Sequence, residues 1–131
     1  MVIYGTRLFS RWARKEGLGS SSMCSAVKEM AAGLFEADLG GGLLKKRIAR
    51  AGQGKSGGFR TLVATNRGDR WMFVFRFSKN ERSNVDKDEL DALKKLAEQL
   101  LGLASKAMNT TVAAGELVEV KCDEKDEVSN P

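Results

Sequence analysis

No histidine occurs anywhere in the chain. Its absence removes the commonest general base, and with it serine and cysteine triads and histidine metal clusters. Cysteine is scarce too: Cys24 and Cys122 stand far apart, with no histidine to join them in a metal site and too few thiols for a disulfide framework, so both are expected to be reduced. No segment approaches the roughly 18 consecutive apolar residues that cross a bilayer, and the first nine residues carry no basic stretch leading into an apolar one. A cytoplasmic protein without a membrane partner is expected. Carboxylates are nearly missing from the middle of the chain, where residues 43–82 hold eleven basic and two acidic side chains. Residues 83–131 reverse this balance, with six basic and eleven acidic.

The 131 residues, with a net charge of +5, suit one compact domain, placed at 1–121, with an acidic tail over 122–131. So concentrated a basic stretch is the footprint of a polyanion binder, because each phosphate contact releases counterions. Nucleic acid is the expected partner.

Periodicity supplies the elements. Val2 to Tyr4 reads as a strand, and Leu8, Phe9, Trp12 and Ala13 recur at helical spacing. Gly17 to Ser20 breaks that helix. Ser21 or Ser22 can cap a second one, whose apolar side runs from Met23 through Met30 to Leu34. Gly40, Gly41 and Gly42 end the helical region. Three strands follow at Leu43 to Arg50, Gly58 to Asn66 and Arg70 to Ser78, the last two forming an antiparallel hairpin around Arg67-Gly68-Asp69. In the third strand the two-residue period puts Trp71, Phe73, Phe75 and Phe77 on one core face, with Met72, Val74, Arg76 and Ser78 on the other. Asp86 and Glu89 make a capping box for a helix carrying Leu90, Leu93, Leu96, Ala97, Leu100 and Leu101. A short helix over Ser105 to Ala113 and a last strand at Glu116 to Val120 complete an α+β chain.

Two glycine-rich signals lose their force in context. Gly54-Lys55-Ser56 resembles a phosphate loop, and Gly52, Gly54 and Gly57 match dinucleotide-binding spacing, but both patterns need a helix to follow and here a strand follows. The segment reads as a basic connection whose amides and Lys55 can close on a phosphate backbone. Grouped carboxylates for a metal are also lacking: Asp69 and Glu81 stand alone among the cations, and the acids at 86–91 serve a helix start. No metal or cofactor is expected.

One reaction suits a site of cations without histidine. It is transfer of an RNA phosphodiester to its own neighbouring 2′-hydroxyl, in which the substrate brings the nucleophile. A lysine of the run Lys45-Lys46-Arg47 can act as base if neighbouring cations lower its pKa, and arginines can stabilise the transition-state charge. Arg60 and Arg76 lie on paired strands and are expected to converge at one end of the sheet. Arg47, Arg50, Lys55 and Arg82 are expected to contact the RNA.

The run Gly57-Gly58-Phe59-Arg60-Thr61-Leu62, followed by Phe75-Arg76-Phe77-Ser78-Lys79-Asn80-Glu81-Arg82-Ser83-Asn84-Val85, resembles RelE-type toxins of type II toxin–antitoxin systems. Together with Leu39 to Leu43 and Lys45-Lys46-Arg47 it is most similar to the HigB-like branch of the RelE/ParE superfamily. The resemblance implies two N-terminal helices and a C-terminal helix packed on a curved antiparallel sheet, as in microbial ribonucleases. It implies ribosome-dependent cleavage of mRNA by a metal-independent endoribonuclease, which arrests translation. Arg60, Arg76 and Lys79 carry over as catalytic residues, with Lys45 and Lys46 on the preceding strand. Two departures stand out: no tyrosine follows the last of these strands, and the acidic end is longer than in minimal members. The implied partners are mRNA, the ribosome and a cognate antitoxin of helix-turn-helix type, whose acidic or amphipathic segment would cover the face bearing Lys45, Arg60 and Arg76. Two other readings remain: a non-enzymatic toxin of the ParE kind acting on DNA gyrase, and an RNA-binding module without chemistry.

Overall fold

The computed structural model describes residues 2–49, 58–78 and 84–122. Its elements in chain order are β1 (Val2–Thr6), α1 (Arg7–Lys15), α2 (Ser20–Ala31), β2 (Ala37–Gly40), β3 (Leu43–Ile48), β4 (Phe59–Thr65), β5 (Arg70–Ser78), α3 (Lys87–Leu101), α4 (Ser105–Ala113) and β6 (Leu117–Val120). The strands form one sheet in the order β2-β3-β4-β5-β1-β6. Only β1 and β5 run parallel, and the other neighbours pair antiparallel. The α+β class with helices packed on a mostly antiparallel sheet is thus as expected.

Helices cover both faces. On one side Phe9, Ala13, Met23, Val27 and Met30 of α1 and α2 bury Leu44, Ile48, Val63, Trp71 and Phe73. On the other side Ala97, Leu100 and Met108 of α3 and α4 pack on Leu43, Leu62, Ala64, Met72 and Val74. Local chemistry fixes the ends. Thr6 Oγ1 caps α1 by accepting from the Phe9 amide at 3.2 Å, and Asp86 with Glu89 closes the expected capping box on α3. The second helix starts at Ser20 behind Gly19, which offers no side-chain cap, and ends before Leu34, which is 61% exposed. Asp69, in the β4–β5 turn, has its carboxyl held below the usual range by a hydrogen bond from the Asn66 side chain, with Arg70 adding to the effect.

Three features depart from the sequence reading. First, an additional strand, β2, precedes the glycine run and pairs with β3. Gly40, Gly41 and Gly42 all have positive φ, at +83°, +62° and +85°, a turn that side chains with a Cβ resist. Second, β5 carries a bulge. Leu62 lies opposite Phe75 while Val63 lies opposite Phe73, so Val74 is an extra residue and the alternation of faces slips by one beyond it. Trp71 and Phe73 face α1 and α2 as expected, but Phe75 turns to the α3 side. Phe77 follows Phe75 there, because it faces Arg60 across β4. Third, the two cysteines are joined: Cys24 on α2 is bonded to Cys122 with Cα atoms 5.8 Å apart. The sequence hid this contact because it depends on β6 pairing with β1, Val120 opposite Ile3, which returns the chain to α2 after 98 residues.

Two stability outcomes follow. Trp71 is fully buried, and Trp71→Ala should cost about 3–5 kcal/mol in denaturant unfolding. Phe75→Ala should cost less, since that ring is only half-buried. Reducing the disulfide, or Cys24→Ser, should lower unfolding stability by about 2–4 kcal/mol through the freed unfolded chain. Unchanged stability under reductant would mean that the bond contributes nothing.

Candidate nucleic-acid interface

Strand alternation sorts the basic residues. Directly opposed residues in an antiparallel pair share a face, so two rows can be read across β3, β4 and β5. Arg47 lies opposite Arg60, and Arg60 opposite Phe77. Lys45 lies opposite Leu62, and Leu62 opposite Phe75. Lys45, Arg47 and Arg60 therefore share the face on which α3 packs. Lys45 Nζ stands 5.9 Å above the centre of the Phe77 ring, and the Phe75 and Phe77 rings are 6.4 Å apart. Lys45 thus rests on an aromatic floor.

Gly58 makes the approach of Arg60 possible. A Cβ at Gly58 would fall 1.9 Å from the Ile48 carbonyl oxygen, so only glycine lets β4 begin beside the end of β3. Phe59 then turns to the other face, where its ring meets Trp12 edge-on at 4.8 Å, and Arg60 turns to the α3 face. The glycine–aromatic–arginine sequence is a physical unit: close approach, anchor, then cation.

Arg60 is only 9% exposed. Its Nη1 and the Nε of Arg47 are buried, and neither makes a hydrogen bond among the described residues. A buried guanidinium with unfilled donors costs free energy unless an acceptor completes it. Two such groups on adjacent strands make a ready receptor for an anion, and planar guanidinium forks match phosphate oxygens.

The other expected cations lie elsewhere. Lys46 points to the α1/α2 side, is 2% exposed, donates to the Leu34 carbonyl at 3.0 Å and pairs with Glu29 at 2.7 Å. Thr61 Oγ1 donates to the Lys46 carbonyl at 2.9 Å. The clustering of like charges expected of Lys45-Lys46-Arg47 is therefore split between two faces. Arg76 also faces α1, opposite Thr61, with its guanidinium carbon 5.2 Å above the Trp12 ring. Arg60 and Arg76 reach the same end of the sheet, as expected, but on opposite faces, because the bulge reverses the alternation of β5. Lys79, Arg50, Lys55 and Arg82 lie outside the described residues. Among the described residues no group of three or more His, Cys, Asp or Glu side chains is placed to hold a metal ion, and no helix is long and apolar enough to cross a membrane.

A model of the family described as the RelE toxin of the RelE/RelB toxin–antitoxin system matches residues 1–120. The chain belongs to the RelE toxin family. No curated protein sequence matches it. The match takes in every described strand and helix, both cation rows and the bulge. As a member of a toxin–antitoxin family, the RelE-family toxin has an antitoxin for a partner.

Sequence reasoning missed the half-buried setting of Arg47 and the aromatic floor. The bulge, which brings Phe75 and Phe77 onto the α3 face, leaves no mark in a strand of alternating aromatics. Lys46→Ala should destabilise the toxin by about 1.5–3 kcal/mol by removing the buried amine that joins Glu29 and the Leu34 carbonyl to the sheet, whereas Lys45→Ala should change unfolding stability little. Equal effects of the two on the urea midpoint would contradict the assignment of faces.

Proposed function

We propose that this toxin is a ribosome-dependent endoribonuclease that cuts mRNA and so arrests translation. The observation that carries the reading is the pair of partly unsatisfied guanidinium groups, Arg60 and Arg47, beside the Lys45 amine on one sheet face. In this reading the two arginines hold the non-bridging oxygens of the scissile phosphate and neutralise the charge that grows as the phosphorus becomes five-coordinate. Lys45, as the free amine, accepts the 2′-hydroxyl proton. The 2′-oxygen then bonds to phosphorus, the bond from phosphorus to the 5′-oxygen breaks, and that oxygen takes a proton from Lys79. The products are a 2′,3′-cyclic phosphate and a 5′-hydroxyl. The donor set suits this work, since cations supply charge and protons and RNA supplies the nucleophile. Arg50, Lys55 and Arg82 extend the contact along the RNA backbone. Arg76 acts from the far face, through its contact with Trp12.

Dependence on the ribosome, action in the cytoplasm, and an antitoxin of helix-turn-helix type come with the HigB-like resemblance. The expected outcome of brief expression without antitoxin is growth arrest with transcripts cut only where they are being translated. Arg60→Ala should abolish both while the protein stays folded by circular dichroism. Arg76→Ala should leave a substantial part of the cleavage. Arrest with intact transcripts and induced DNA damage would favour gyrase as the target, and full cleavage by folded Arg60→Ala would remove Arg60 from the site.

A further inference from the structure

A second surface opens at the same end of the sheet, beside the end of β5. Strand β1 pairs with β5 only as far as Gly5 opposite Phe73, and the chain then leaves as α1 at Arg7. Beyond that point α1 and α3 flank the end of β5 and leave a cleft of about 580 Å³ between them. Its lining is mainly apolar: Trp12 from one core, and Val74, Phe75, Leu93 and Leu96 from the other. Leu8, on the same rim, is 74% exposed. Apolar side chains from both layers thus come to the surface at one place, which on a folded monomer marks a docking site.

The rim has one sign of charge. Arg11, Lys15 and Arg76 line the cleft, and α1 carries Arg7, Arg11, Arg14 and Lys15 without a single carboxylate. These features select the occupant. The acidic tail of this chain offers only Val128 as a large apolar side chain, too little to fill an apolar floor. A second copy would bring the same cationic helix and be repelled. An RNA strand would suit the rim but not the leucines. We infer that the cleft between α1 and α3 is where the antitoxin docks, through an amphipathic helix whose apolar side enters the cleft and whose carboxylates meet Arg11, Lys15 and Arg76. The sheet face with Lys45 and Arg60 is not where that helix sits. The inference rests on family membership and this surface alone, so it stands or falls separately from RNA cleavage.

Amine acetylation read by mass spectrometry distinguishes the surfaces, because one lysine marks each. In the purified toxin–antitoxin complex, compared with toxin separated from its antitoxin under denaturant and refolded, Lys15 should be protected and Lys45 should remain as reactive as before. Antitoxin affinity should fall about tenfold or more for Arg11→Glu combined with Lys15→Glu, as loss of charge complementarity requires. Leu8→Glu, at an exposed position that tolerates a charge, should also weaken the complex, and Arg60→Ala should not. Protection of Lys45 with Lys15 left reactive would overturn the inference. So would undiminished affinity in both the Arg11/Lys15 reversal and Leu8→Glu, or protection of Lys15 by a single-stranded RNA in place of the antitoxin.

Discussion

Val74 is the residue that β5 inserts between the partners of Leu62 and Val63, and the faces taken by Arg76 and Phe77 depend on it. With unbroken alternation Phe77 would lie under α1, and Arg76 would stand beside Lys45 and Arg60. The bulge exchanges them. Phe77 moves to the α3 side as a floor under Lys45, and Arg76 moves to Trp12. A single inserted residue thus separates an anion-receiving face from an apolar, basic-rimmed cleft, and one strand serves both.

Burial divides the work among the basic side chains. Lys46 has spent its charge on Glu29 and the Leu34 carbonyl, so it holds α2 to the sheet. Arg67 is spent on Asp38, at 2.7 Å, in an exposed pair between the β4–β5 turn and β2 that adds little to stability. Arg70 donates to the carbonyls of Leu100 and Leu101 at the end of α3. Arg60 and Arg47 keep donors in reserve. Lys46, Arg67 and Arg70 thus serve architecture, and Arg60 and Arg47 are left for a ligand.

What could be read from the sequence was what is local. The capping box at Asp86 and Glu89, the hairpin about Asp69, and the helix of Phe9, Trp12 and Ala13 depend on neighbours within a few residues, and they appear where the pattern put them. The core position of Trp71 and the cationic character of the Arg60 strand were also legible. The faces of Phe75, Arg76 and Phe77 were not, because a bulge is decided by the partner strand. The disulfide needed β6 to find β1 across most of the chain. The opposite fates of Lys45 and Lys46 followed from strand alternation, but which face held α2 and Glu29 was a matter of tertiary packing.

The central claim is that Arg60 and Arg47 meet an RNA phosphate. The salt dependence of binding tests it most directly. With a short single-stranded RNA made uncleavable by 2′-O-methylation, the slope of log affinity against log salt counts phosphate contacts, at about 0.7 per contact for single strands. The account predicts a shallower slope, by about that amount, for Arg47→Ala and again for Arg60→Ala, with no change for Lys46→Ala. A slope equal to that of the unaltered toxin in both arginine variants would contradict it.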